Sequence, residues 1–330
     1  MTPKFKGGDD DWLDDEDAST RKKNVVTKKG KAKGGFLGSE VGNAIVAEIF
    51  PNQCAVILDE NNLRMACTYR KAKLPQVEQK DRAPVAVGDR VLVEKISNTD
   101  GVIDGVCTRR NELVRPSPER ATRHVLVANV DVLAIVTACV EPAFSPGLVD
   151  RFLIAALAQK IDTVICVTKM DLWAGGEKPW QLYIDLGFEV VELSIVNGLG
   201  MDRLNGLIKE RLTTFCGHSG VGKTSLLNKL LGREVGRTGD VSQSTGKGQH
   251  TTTGAYLIAD SKRIDTPGIR AFGLTGIDPD ELKEAFPEFQ NLDCQKRGCF
   301  HRQEENCDAR DLPRYAGYRR ILESLLAGEN

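Results

Sequence analysis

Residues 217–224 read GHSGVGKT and match the pattern G-x-x-x-x-G-K-[ST] at every fixed position. No other stretch constrains the fold as tightly, because this pattern works only where a strand hands over to a helix. Gly217 and Gly222 let the backbone curl so that successive N–H groups point at a polyphosphate. Lys223 adds positive charge toward the β- and γ-phosphates, and Thr224 offers a hydroxyl to Mg²⁺. The flanks agree: 213–216 is a short strand-like run, and 224–231, TSLLNKLL, is a helical run whose N-terminus faces the anion. The expected nucleotide contacts here are Gly217, His218, Ser219, Gly220, Val221, Gly222, Lys223, Thr224 and Ser225.

Around this loop the chain reads as α/β from 124 onward. Continuous apolar strands are expected at 132–138, 163–167 and 188–193, with helices at 148–159, 180–186 and 201–212. Short strands at 255–258 and 263–264 follow the phosphate loop. Such alternation implies a parallel sheet covered on both faces. Ligands bind such sheets at the carboxyl ends of the strands. Two motifs stand at those ends: Thr168-Lys169-Met170-Asp171 and Asp265-Thr266-Pro267-Gly268. The second fits D-x-x-G, in which Asp265 holds Mg²⁺ through water and Gly268 senses the γ-phosphate. The first resembles [NT]-K-x-D. A carboxylate at Asp171 accepts from the guanine N1–H and exocyclic amine, and Lys169 packs over the base. Thr168 stands where asparagine is usual, so a side-chain amide contact is expected to be missing. Ser194, in SIVNGLG at 194–200, occupies the place of a loop over the base, without the usual alanine. Thr251 and Thr252, inside a Gly/Ser/Thr/Gln-rich stretch, suit a mobile loop that supplies a threonine to Mg²⁺.

The 330 residues, 41% apolar and 28% charged, suit two or three soluble domains. No apolar run reaches the roughly 18 residues of a membrane span, and no apolar core follows the N-terminal lysines, so neither a membrane nor a signal peptide is expected. Residues 1–35 read as a disordered tail: an acidic block at 9–17, then seven basic and no acidic residues over 21–33. The tail suits a plain solvated segment or a nucleic-acid-binding arm. Five β-rich runs, 44–50, 55–58, 63–68, 89–96 and 102–107, predict a small barrel, either oligonucleotide-binding or SH3-like. Arg64, Arg70, Lys71 and Lys73 on or beside its third strand form a solvated face or an RNA contact. Residues 109–123, with two prolines and five arginines, read as an unpacked linker.

Six of the nine cysteines are scattered through apolar stretches, which argues for a reducing compartment and against disulfides. The other three join a histidine in C-x4-C-x-H-x5-C: Cys294, Cys299, His301 and Cys307. Three thiolates and an imidazole satisfy tetrahedral zinc, and a segment this short benefits from a metal staple.

The order of these motifs is unusual. The guanine-type element and the Ser194 loop precede the phosphate loop, whereas ordinary GTPases present them last. A sheet can still close if the chain is circularly permuted. With a barrel before and a Cys/His knot after, the chain over about 36–325 resembles the bacterial ribosome small-subunit-dependent GTPase A family. The resemblance implies GTP hydrolysis to GDP and phosphate, stimulated by the small ribosomal subunit and its rRNA during late 30S maturation. The protein would be a cytoplasmic monomer with Mg²⁺ and one structural zinc. It also implies that His250, in the G-x-H-T-T-T stretch, acts on the water, with His218 the other candidate, since Ile269 after D-x-P-G cannot orient water. The alternative is a permuted GTPase acting on a non-ribosomal RNA or protein. The expected domains are a barrel at 36–112, a GTPase domain at 113–275 and a helical zinc module at 276–330. Gly268 would pass movement directly to that module, while the barrel would lie at the other end of the linker.

Overall fold

The computed structural model describes residues 42–70, 84–115, 124–235, 254–266, 272, 274, 277–290, 292, 299–302 and 307–327. The N-terminal strands are β1 (Ala44–Phe50), β2 (Gln53–Leu58), β3 (Arg64–Tyr69), β4 (Arg90–Lys95) and β5 (Asp100–Val106). They pair in the order β1-β2-β3-β5-β4 and close through β1–β4. The β3–β5 pair is parallel while β1–β4 is antiparallel, which selects the oligonucleotide-binding topology over the SH3-like one. Strands alternate inward apolar residues, and Val46, Val56, Met65, Val91 and Ile103 fill the interior.

Two strands follow in the arginine-rich stretch, β6 (Glu112–Arg115) and β7 (His124–Ala128), paired antiparallel. The linker expected to be unpacked is therefore partly a strand. Its first two arginines are paired with carboxylates: Arg109 grips the distant Asp89 with two bonds of 2.7 Å and also meets the neighbouring Glu112, and Arg110 meets Asp131 at 2.8 Å. Residues 116–123 lie outside the described residues.

The α/β part comprises β8 (Val132–Ala138), α1 (Pro146–Ala158), β9 (Asp162–Thr168), α2 (Gln181–Asp185), β10 (Val190–Glu192), α3 (Met201–Ile208), β11 (Thr213–Cys216), α4 (Lys223–Leu231), β12 (Tyr256–Leu257) and β13 (Arg263–Asp265). Helices α5 (Pro279–Glu284) and α6 (Tyr315–Ala327) complete it. The sheet order is β10-β9-β8-β11-β13-β12. β11 lies between β8, which precedes it by some eighty residues, and β13, which follows it. The chain therefore leaves β8 toward β9 on one side and β11 toward β13 on the other, which opens a crevice at the carboxyl ends of β8 and β11. One face of the sheet packs α1 and the C-terminal segment, and the other packs α3 and α4. Helix α3 ends at Ile208 rather than 212, because Glu210 takes a positive φ of 57° and the Leu212 N–H is captured by Asp131 at 2.8 Å.

The barrel does not sit apart at the end of a linker. Strand β1 pairs with β2 along one edge. Its other edge is divided: Ala44 and Ile45 close the barrel against β4, and Glu48 pairs with Tyr256 of β12. Among the described residues the barrel and the α/β sheet thus form one run of eleven strands.

Candidate functional site

The phosphate loop connects β11 to α4 at the crevice. Gly217 has φ 144°, and a Cβ there would lie 2.0 Å from the Val136 carbonyl oxygen, so only glycine lets the loop cross β8. Gly222 has φ 90° and caps α4. His218, Ser219, Gly220, Thr224 and Ser225 are exposed at the mouth, while Val221 anchors the loop in the core. Lys223 Nζ donates to the carbonyls of Gly217 (2.8 Å) and His218 (3.1 Å), which holds the ammonium over the loop. Burial pushes the Lys223 ammonium below its ordinary value, and the nearby Asp265 charge opposes this.

Three further segments converge on that loop. The first is 168–171. The buried Thr168 hydroxyl lies 2.6 Å from the Val221 carbonyl and 3.0 Å from that of Thr137, so this residue ties the guanine-type element to the phosphate loop. The hydroxyl takes over a bracing role where a lost amide contact was expected. Lys169 has φ 61° and reaches the Glu141 carbonyl, and Met170 N–H bonds the Leu193 carbonyl at 3.1 Å. The second is the 194–200 loop. Ser194 Oγ donates to Asp171 Oδ1 at 2.6 Å, which fixes the carboxylate while leaving Asp171 itself exposed. The third is the 139–144 turn after β8, which the sequence reading passed over. Its Cys139 Sγ–H reaches the Lys169 carbonyl at 3.0 Å, and Pro142 borders Gly220. Its place at a strand's carboxyl end was the available signal.

Asp265 closes β13 beside β11 and is 6% exposed. Its Oδ2 accepts from the Tyr256 hydroxyl at 3.2 Å, and its Oδ1 has no hydrogen-bond partner among the described residues. Burial pushes this carboxyl upward, opposed by the Tyr256 bond, by Lys223 and by the Thr266 backbone N–H. A buried acceptor with nothing to accept suits a metal-bound water, and the exposed Thr224 hydroxyl at the start of α4 is an oxygen that could serve as a second ligand. The donor set therefore fits Mg²⁺. His250, Thr251, Thr252 and Gly268 lie outside the described residues.

Near the C-terminus, Cys299 Sγ and Cys307 Sγ stand 3.5 and 3.3 Å from His301 Nδ1, and all three side chains are buried. Zinc bonds of about 2.3 Å to sulfur and 2.0 Å to nitrogen, at a tetrahedral angle, separate the two ligand atoms by about 3.5 Å. The cluster thus has the spacing of a metal site, and the His301 N–H also bonds Cys299 Sγ at 3.3 Å. Phe289 and Tyr318 pack against the imidazole. Cys294, the fourth expected ligand, lies outside the described residues.

This segment is bolted to the α/β domain by Arg314. Its Nε donates to Asp150 of α1 at 2.9 Å and its Nη1 to Glu288 at 3.1 Å, while Tyr183 of α2 bonds the same Asp150 at 2.8 Å. The guanidinium lies 4.4 Å from the Phe286 ring and 5.4 Å from that of Tyr183.

The family model described as RsgA GTPase matches residues 106–275. The chain belongs to the RsgA GTPase family. The RsgA relative of Pseudomonas aeruginosa, a small ribosomal subunit biogenesis GTPase, is 34% identical over 95% of this chain and 94% of its own. That of Chlorobaculum tepidum, of the same description, is 39% identical over 73% of this chain and 85% of its own. Among solved structures, YjeQ from Thermotoga maritima superposes with a TM-score of 0.64 at 29% identity, covering 86% of this chain and 98% of that one. YloQ, a circularly permuted GTPase, superposes at 0.59 with 25% identity, covering 86% and 95%. As a member of the RsgA GTPases the chain is a GTP hydrolase, and the strand order around β11 is that of a permuted GTPase domain.

Proposed function

We propose that this chain hydrolyses GTP under stimulation by the small ribosomal subunit, during late maturation of that subunit. The reading rests on the Thr168–Val221 contact, which joins two motifs separated by about fifty residues and reversed in order into one nucleotide site. The relatives' descriptions as small ribosomal subunit biogenesis GTPases supply the partner. In this reading Asp171, braced by Ser194, reads guanine, and Lys169 and Met170 frame the base. The 217–225 amides and Lys223 hold the phosphates. Thr224, Asp265, and Thr251 or Thr252 hold Mg²⁺, which neutralises charge on the phosphoryl oxygens, and Gly268 senses the γ-phosphate. His250 orients the water once its loop is ordered, with His218 at the loop mouth as the other candidate.

The Cys299, His301 and Cys307 cluster, with Cys294, holds one zinc ion. A cleft of about 390 Å³ lined by Arg302, Arg310, Tyr315 and Arg319 carries positive charge suited to rRNA phosphate, part of it shared with Glu323 through Arg319. Arg64 and Arg70 on the barrel contribute less than their number suggests, because Arg64 pairs with Glu48, and Arg70 with Glu94 and Asp104. Lys71 and Lys73 lie outside the described residues. The domains are a tail at 1–35, a barrel to 112, the GTPase domain to 275 and the zinc module beyond. The protein works as a cytoplasmic monomer, and no helix among the described residues is long and apolar enough to cross a membrane.

The test is single-turnover GTP hydrolysis at saturating 30S subunits. The parent should be accelerated by roughly 10³ or more over the free protein. His250→Ala should keep GTP and subunit binding but lose most of that gain. A stimulated rate equal to the parent's removes His250 from catalysis, and absence of stimulation by 30S refutes the ribosomal reading.

A further inference from the structure

The groups assigned above to the nucleotide gather at the carboxyl ends of strands and the start of α4. Tyr256 does not. It sits within β12, paired in register with Asp265 on one side and with Glu48 of the barrel on the other. Directly opposed residues of an antiparallel pair share a face, with Cβ atoms about 5 Å apart. A phenol is long enough to cross that gap and curl over the shorter aspartate. The Tyr256 hydroxyl does so, donating to Asp265 Oδ2 at 3.2 Å in a buried environment.

The carboxylate is thereby over-determined. Its backbone is fixed by pairing to Phe215 of β11, and the next residue is fixed by the Thr266 hydroxyl on the Phe215 carbonyl at 2.5 Å. With Oδ2 occupied, the remaining freedom is the rotation that would carry Oδ1 away from the crevice. The phenol opposes that rotation, because turning the carboxylate would break its bond. Oδ1 is left buried with no partner among the described residues. An orphaned buried acceptor is destabilising until a donor arrives. The available donor class is water bound to a divalent cation in the phosphate crevice.

We propose that Tyr256 is a positioning residue for the magnesium site: its hydroxyl holds one oxygen of Asp265 so that the other is presented to metal-bound water. The inference rests on the reading of Asp265 as a magnesium-side group. Tyr256 acts through its bond to Asp265, so it has this role only if Asp265 does. Its bond is longer than the roughly 2.6 Å of a strong charge-assisted contact, so the effect is modest.

The experiment is binding of a fluorescent non-hydrolysable GTP analogue to the full chain, titrated with Mg²⁺ and repeated in EDTA. Parent, Tyr256→Phe, Asp265→Asn and the double variant are compared, with thermal melting as a check that each is folded. Tyr256→Phe should raise the Mg²⁺ half-saturation about three- to ten-fold, the scale of one ordinary hydrogen bond, as its length implies. Its affinity in EDTA should equal the parent's. Asp265→Asn should raise the half-saturation further, and adding Tyr256→Phe to it should change nothing more, because the two act as one unit. If Asp265→Asn shifts the Mg²⁺ response and Tyr256→Phe does not, the positioning role is wrong while Asp265 keeps its assignment. If Asp265→Asn leaves the response unchanged, the underlying assignment of Asp265 is wrong. If Tyr256→Phe weakens binding equally in EDTA, or adds to Asp265→Asn, the tyrosine is a general packing residue and the proposal is overturned.

Discussion

Replacing Arg314 by methionine should loosen the C-terminal segment in a pH-dependent way. Arg314 and Asp150 are each 2% exposed and Glu288 is 8% exposed, so the substitution strips two core carboxyls of the cation bonded to both, leaving Asp150 only the weaker influence of Arg320. Breaking such a buried pair costs about 3–5 kcal/mol. Methionine keeps most of the apolar volume against Phe286, Tyr183 and Phe188, so lost packing adds little. The carboxyls have one escape, which is to take up protons. Burial already pushes Asp150 and Glu288 above the ordinary carboxylate range, with Arg314 opposing the shift. A raised carboxyl holds protons more readily folded than unfolded, so its contribution to stability falls as pH rises from the ordinary carboxylate value through the raised one. Removing Arg314 moves both carboxyls higher and extends that window upward. The deficit relative to the parent should therefore be small near pH 5.5 and reach its full size near pH 8. A unit of this size moves about 2–4 °C per kcal/mol, so the melting point should drop by about 10 °C at the higher pH. The assay is thermal unfolding of variant and parent at both pH values, with hydrogen exchange across α6 to locate the loss. The triple variant Asp150→Asn, Glu288→Gln, Arg314→Met removes the charges together and should recover most of the deficit. Equal losses at both pH values, or no recovery in the triple variant, would refute the argument.

Two shorter expectations concern the other sites. Asp171→Asn should weaken GTP and improve xanthosine triphosphate, because the donor and acceptor pattern at that edge is inverted; competition binding measures this, and equal GTP and ATP affinity in the parent contradicts the guanine role. Elemental analysis should find one zinc per chain, lost in Cys299→Ser with faster exchange over 299–327 while the α/β sheet stays protected, since one missing thiolate leaves a poor site; a metal-free parent with a protected C-terminal segment counts against it.

Much of the site was readable from the chain because its chemistry is local. Gly217–Thr224, Thr168–Asp171 and Asp265 each carry their pattern within a few residues, and the continuous apolar run at 132–138 and the short strand-like run at 213–216 coincide with β8 and β11. The missed features are those whose partner is remote. Arg109 and Arg110 look like soluble linker charges until the fold brings Asp89 and Asp131 to them. Arg314 finds Asp150 across 164 positions, so no window could show that it is buried. Tyr256 looked like one more β-strand residue, because its hydroxyl partner is defined only by the β12–β13 register. The regulatory route also reads differently in three dimensions. The C-terminal segment is fastened to α1 through Arg314, and the barrel reaches the strand beside Asp265 through β12.

The divided edge of β1 also bears on solubility. Strand β12 is two residues long and has β13 on one side and β1 on the other. A shortened chain starting after the barrel would present β12 as an open border, with backbone groups ready to recruit a strand from another molecule. Sheets guard such borders with charge, proline or a covering element. Here the barrel, closed on itself, serves as that cover. The segment that reads as a separate RNA-binding attachment is therefore also what shields the last strand of the nucleotide sheet from self-association.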